Sequence, residues 1–146
     1  MESKDAVIFE SLRQNSRKTV KEVARETGIP RTTVFERIRK MEKSGLIKAY
    51  TVRPDYDKLE MPTLAYVFVA YDSSRHVTQK DLAAQIAKVP GVFEVCIVAG
   101  EWDIIVKVRG KSLTSIGELV VGKMREIPGI AKTLTFPVFY LVKEEC

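Results

Sequence analysis

The stretch from Thr19 to Ile47, TVKEVARETGIPRTTVFERIRKMEKSGLI, constrains the fold more than any other part of the chain. Thr19-Val20-Lys21-Glu22 fits a capping box, in which the threonine hydroxyl and the glutamate carboxylate satisfy each other's free backbone amides at a helix start. Val20, Val23 and Ala24 recur at helical spacing and set one stripe inward. Gly28 tolerates positive φ, which is how a helix commonly stops. Pro30 cannot continue that helix but suits the start of another. Two short helices joined by a tight turn follow.

In the second of these helices Val34, Ile38 and Met41 fall at i, i+4 and i+7 and form the buried stripe. At about 100° per residue the opposite face carries Thr32, Glu36, Arg39 and Lys43, with Thr33 and Lys40 beside them. An apolar back, a polar and cationic front and a preceding glycine turn are what a reader of the DNA major groove needs. Recognition helices read with their amino-terminal residues, so Arg31, Thr32, Thr33 and Glu36 are the candidates for base edges. Arg37, Arg39, Lys40 and Lys43 are the candidates for phosphates, with Arg37 nearest the buried stripe. The plainer alternative, a solvated charged face on a surface helix, does not account for the turn and the helix before it.

The distribution of charge agrees. The chain carries a net charge of +5, and residues 1–58 hold all of it, with 14 Lys+Arg against 9 Asp+Glu; residues 59–146 hold 10 of each. Such a patch binds polyanions by releasing condensed counterions. Helices that are short, separately capped and aimed at a packed core fit an anionic membrane surface less well. No apolar run approaches the roughly 18 residues of a membrane span, and the amino end, MESKDAVIFE, does not read as a signal peptide. Cys96, in an apolar run, and Cys146, at the end, make neither a disulfide framework nor a metal set. A cytoplasmic protein with Cys96 in its core is expected. Catalysis has little support: His76 stands in a probable loop with no second histidine, and no Gly-rich phosphate loop is present.

Ahead of the capping box, Ile8, Phe9 and Leu12 supply the inward stripe of a helix over Asp5 to Asn15, making a three-helix unit over residues 1–53. Lys48 to Arg53 is rich in β-branched and aromatic residues and predicts a short strand. Residues 54–62 read as a linker with turn chemistry at Pro54-Asp55-Tyr56-Asp57. The remainder, 63–146, holds a faint repeat: Val89-Pro90-Gly91-Val92 recurs as Ile127-Pro128-Gly129-Ile130. Each copy follows a helical pattern, the first capped by Thr78 (Leu82, Ile86, Val89), the second beginning after Ser112 (Leu113, Ile116, Val120, Ile127). Gly117 and Gly122 weaken the second helix, and close backbone packing is the expected reason for them. Extended segments at 64–71, 92–99, 104–109 and 130–142 complete a β-α-β-β-α-β order. The fold class is therefore α+β, with a ferredoxin-like antiparallel sheet covered by helices on one face. Leu64 to Tyr71, LAYVFVAY, is apolar on both alternating faces, so a second copy of the chain is expected against the other side.

With these features in order, the chain closely resembles the Lrp/AsnC, or feast/famine, transcription regulators over nearly its whole length. The resemblance rests on GIPRTTVFERIRKMEKSGLIKAYTV, on the PGV before the second strand, on GEWD at Gly100 to Asp103 and on TLTFPV near the end. It implies a winged-type helix-turn-helix followed by an αβ sandwich that dimerises, often assembles to octamers, and senses amino acids. It implies no cofactor beyond a small amino-acid effector, held between dimers at the loop joining the second and third strands. Here that loop is Gly100, Glu101, Trp102 and Asp103, with Thr133 and Thr135 as contributors from the last strand. A zwitterion needs backbone amides for its carboxylate and side-chain oxygens for its ammonium, which Gly100 and the two acids supply. The alternative is a plain hairpin turn in which Trp102 packs and the acids are solvated. Two features depart from the family pattern: Pro30 stands where a capping serine is common, and the amino end is short. Sirohaem decarboxylases, which bind a tetrapyrrole, resemble the same family in both halves and form the rival reading; extra histidines expected of such an enzyme are absent.

Overall fold

The capping box forms as its residues require. In the computed structural model, which describes residues 2–144, the Thr19 amide donates to Glu22 Oε2 at 2.7 Å and the Glu22 amide to Thr19 Oγ1 at 3.3 Å. The hydrogen bonds from Thr19 hold the Glu22 carboxyl below its usual range. They open α2, Val20–Thr27, which stops at Gly28 with φ 69°. Pro30 occupies the capping position of α3, Arg31–Lys43. With α1, Ser3–Gln14, these helices enclose Ile8, Leu12, Val23, Val34 and Met41, all buried. Ile38 is only half-buried at the edge of this core. Five buried apolar side chains are few, and polar ties supplement them: buried Ser11 donates to Glu26 Oε2 at 3.0 Å, and Lys18 Nζ reaches the same oxygen at 2.6 Å.

Backbone contacts divide the chain into two units, 1–53 and 54–146. In the first, the strand expected over Lys48 to Arg53 does not form. A strand needs a ladder partner, and no strand forms among the described residues of this unit to provide one. Tyr50 instead turns back on α3, its hydroxyl donating to Glu42 Oε1 at 2.8 Å. Partial burial, then the Glu42 carboxylate, pushes the Tyr50 phenol up to about 12.

The second unit is built on β1, Thr63–Tyr71; β2, Val92–Ile97; β3, Ile104–Gly110; and β4, Ile130–Pro137. They form an antiparallel sheet in the order β2-β3-β1-β4. Ala65, Val67 and Val69 of β1 and Ile104, Val106 and Val108 of β3 point to one face. There they pack on Leu82 and Ile86 of α4, Gln79–Ile86, and on Ile116 and Leu119 of α5, Leu113–Leu119. Ser112 caps α5, as expected, and a single π turn, Val120–Met124, extends it and buries Val120 and Met124. A Cβ added at Gly117 or Gly122 would meet nothing within 4 Å, so the close packing expected of these glycines is absent. The last strand ends at Pro137 rather than 142, because Pro137 already pairs with Ala65 and β1 runs out two residues before it.

The two Pro-Gly repeats act alike. Gly91 and Gly129 adopt φ of 95° and 100°, and their carbonyls accept from the amides of Arg109 and Asp72 at neighbouring strand ends. Each is followed by a bulge: Phe93 is the extra residue between Val92 and Glu94, and Ala131 that between Ile130 and Lys132. A bulge reverses which alternate residues face the core. Strict alternation from Val92 would set Cys96 inside; the bulge at Phe93 turns it out opposite Ile105, and Cys96 is exposed. The expectation of a core cysteine is thereby corrected. Its thiol donates to Glu94 at 3.2 Å, and that carboxylate pushes its pKa up. Cys146 lies outside the described residues.

The face away from the helices presents Tyr66 and Phe68 of β1, Ile105 of β3, and Leu134 and Phe136 of β4, the last 48% exposed. Residues 54–62, read as a linker, pack partly on this unit. The Arg109 guanidinium lies 3.7 Å from the Tyr56 ring centroid, and Phe93 meets the same ring edge-on at 5.5 Å.

Candidate functional site

The outer face of α3 carries the charge expected of it. Arg31, Thr32, Glu36, Arg39, Lys40 and Lys43 are exposed, and Thr33 is half-buried beside them. Acids elsewhere in this unit have internal partners: Glu10 pairs with Arg13, Glu22 with its cap, Glu26 with Lys18, and Glu42 with Tyr50. Among the described residues no carboxylate lies in ion-pair range of Arg31, Arg39, Lys40 or Lys43. Apart from exposed Glu36, which shares the outer face of α3, the acids of this unit are engaged within the fold, while the cations of α3 are directed outward.

Arg37 does not share that face. Its Nη1 lies 3.2 Å from Oδ1 of buried Asp5 on α1 and also pairs with Glu2. The hydrogen bond with Glu2, reinforced by the charge of Asp5, holds the guanidinium above its ordinary range. Assigned from the sequence to a phosphate, Arg37 instead ties α3 to α1. Its angular position next to the Val34–Met41 stripe delivers it to the neighbouring helix. The sequence reading also passed over Phe35, which is 51% exposed on the outer face with the Arg39 guanidinium carbon 5.7 Å from its ring centroid. The available signal was a large apolar residue at an angle the helical wheel assigns to solvent.

In the second unit, the loop from Gly100 to Asp103 joins β2 to β3, with Gly100 at φ 146°. Asp103 is tied down on every side. Oδ2 accepts from the Tyr71 amide at 2.8 Å and Oδ1 from Gln79 Nε2 at 3.0 Å; its own amide donates to the Val69 carbonyl at 3.1 Å. Expected as a ligand oxygen, this carboxylate joins the end of β1, the start of α4 and the loop. Trp102 packs edge-on against Phe68 at 6.1 Å, and Lys132 Nζ lies 4.9 Å from its ring centroid. Glu101 is exposed. Thr133 and Thr135 are not brought to this loop within one chain. Paired with Val69 and Val67, they face the helix side, where Thr133 Oγ1 accepts from Arg125 Nε at 3.1 Å. The bulge at Ala131 again sets the phase. His76 takes a left-handed conformation, φ 55°, at the end of a short turn. Among the described residues no group of three His, Cys, Asp or Glu side chains is placed to hold a metal ion, and no helix is long and apolar enough to cross a membrane.

Residues 64–146 match the Lrp/AsnC ligand binding domain. The chain belongs to the Lrp/AsnC family. Residues 1–48 match a winged helix-turn-helix DNA-binding family, so this Lrp/AsnC chain is a transcriptional regulator with a DNA-binding unit and a ligand-binding unit. It is 45% identical to an uncharacterized HTH-type transcriptional regulator of Pyrococcus furiosus, over 97% of this chain and 94% of the relative. It is 32% identical to the HTH-type transcriptional regulator LysM of Saccharolobus solfataricus, over 91% and 89% of the two chains. Among solved structures, a transcriptional regulator of Neisseria meningitidis in complex with L-Met shares the fold with a TM-score of 0.93 at 18% identity, covering 99% of this chain and 94% of that one. E. coli AsnC does so with a TM-score of 0.89 at 21% identity, over 100% and 97%.

Proposed function

We propose that this Lrp/AsnC chain is a sequence-specific, non-enzymatic regulator that reads duplex DNA with the outer face of α3 and alters its DNA binding when an amino acid is bound. The observation that carries the reading is the segregation of charge in the first unit: acids other than Glu36 have internal partners, and Arg31, Arg39, Lys40 and Lys43 are turned outward without them. Arg31, Thr32, Thr33 and Glu36 face base edges; Arg39, Lys40 and Lys43 neutralise phosphates. Arg37 supports the helix from behind.

The effector binds at the loop from Gly100 to Asp103. Glu101 offers the free carboxylate for an ammonium group, Gly100 lets the main chain come close, Trp102 forms a wall, and Asp103 fixes the loop's position. Thr133 and Thr135, which one chain does not bring to this loop, join the site from another copy of the chain. The apolar outer face around Phe68, Leu134 and Phe136 pairs two chains as a homodimer, and dimers gather into larger rings such as octamers. A cytoplasmic location follows from a DNA partner. Names of the relatives support regulation over tetrapyrrole chemistry, and the L-Met complex of the Neisseria protein supports an amino acid as the effector class.

Selection of duplexes from a random pool by the full-length chain, repeated with each common amino acid, tests this. The expected result is a recurrent site whose occupancy changes with one or a few amino acids. Retention of all duplexes alike, with or without any amino acid, refutes it.

A further inference from the structure

A single exposed aromatic residue is ordinary on a protein surface; the position of Phe35 is not. It lies in the amino-terminal half of α3, three residues after Thr32 and four before Arg39, spacings that make neighbours on one helix face. The Arg39 guanidinium covers part of its ring at 5.7 Å, leaving the side chain 51% exposed. A phenyl ring cannot hydrogen-bond a base edge, so in a groove it needs an apolar group. The edge pattern of the major groove offers one, the C5-methyl of thymine. An apolar protein or lipid partner seated here would also have to strip water from Arg39, Lys40 and Lys43, at a cost that duplex phosphates avoid.

We infer that Phe35 is a specificity-determining residue that packs on the C5-methyl of a thymine in the bound site. The inference rests on the DNA-reading role proposed above. Phe35 adds a preference for thymine over cytosine at its position that hydrogen bonds from Thr32, Thr33 and Glu36 do not supply.

The test takes the duplex most enriched by the full-length chain and replaces each thymine in turn by deoxyuridine, which removes only the methyl group. Wild-type protein should lose about fourfold in affinity at one position per half-site, the equivalent of ~0.8 kcal/mol for one buried methyl-sized group. Phe35→Ala should bind the thymine duplex about as weakly as wild type binds the deoxyuridine one, with no further loss from the second change. Placing 5-methylcytosine opposite guanine at that position should recover part of the wild-type loss seen with cytosine, and none for Phe35→Ala. No loss at any deoxyuridine, or equal losses for both proteins, overturns the inference while leaving DNA reading intact. A site enriched without any thymine overturns it too. Failure of the wild type to retain any duplex at low salt overturns the DNA-reading role itself, and this inference with it.

Discussion

Lys40→Ala and Arg37→Gln each remove one positive charge from the same helix, and they should act on different properties. Lys40 is exposed and has no acidic partner among the described residues, whereas Arg37 is bound to Asp5 and Glu2. Each phosphate neutralised contributes roughly −0.9 to the slope of log affinity against log salt. The three phosphate-neutralising cations of one α3, Arg39, Lys40 and Lys43, therefore give a slope of about −2.7, and the two helices of a dimer about −5.4. Lys40→Ala should flatten the slope by about 0.9 for each helix engaged, on the preferred site and on random DNA alike. Arg37→Gln should leave the slope unchanged and instead lower the melting temperature of the first unit, because it strands the buried Asp5 carboxylate. The assay is fluorescence anisotropy with labelled duplex across a salt series, alongside thermal melts of both variants. If Arg37→Gln flattened the salt dependence as much as Lys40→Ala, the internal ion pair would not persist on DNA, and the separation of reading face from supporting face would be wrong.

Three further outcomes are expected. Gly117→Ala should stabilise the protein by up to about 1 kcal/mol, as seen by denaturant melts, since alanine favours the helix and nothing obstructs its methyl; Gly91→Ala should destabilise it, because its Cβ would meet Leu119 Cδ1 at 2.7 Å and an unfavourable φ. Asp103→Asn replaces one acceptor oxygen by a donor facing the Tyr71 amide or Gln79, and should cost about 1–3 kcal/mol in the same melts while also impairing any response to effector. The Glu22 carboxyl is held low by Thr19, so its capping contribution is complete above the unfolded pKa of about 4.3 and is lost as pH falls through the lower folded value; a Glu22→Gln variant should therefore approach wild-type melting temperature on acidification below about pH 4, and a constant difference across pH refutes that origin.

What the sequence made legible and what it hid separate along physical lines. Local signals survived folding: the Thr19 capping box, the Thr78 cap, the helix start after Ser112, the Gly28 turn, the Val34–Met41 stripe and the paired Pro-Gly turns depend on neighbours within a few residues. Errors arose where a partner elsewhere decides. β-Propensity at Lys48 to Arg53 has no ladder to join. The end of β4 is set by the length of β1. Cys96 was placed in the core because it stands in an apolar run, and Thr133 and Thr135 at the loop because the family resemblance implied it; which face each one meets is set by the bulges at Phe93 and Ala131, and an inserted residue leaves no trace in the sequence pattern. Arg37 and Phe35 were likewise decided by neighbours, one by an acid on α1 and the other by its escape from the core.

The fastening of Asp103 bears on how a ligand could be felt at all. A hairpin tip clamped simultaneously to a central strand and to a helix start is already stiff before anything docks, so little disorder is quenched upon arrival. An amino acid docking at this tip should therefore act by shifting the loop, with the Asp103 carboxylate passing the shift to the strand that lies within the sheet's exposed apolar side.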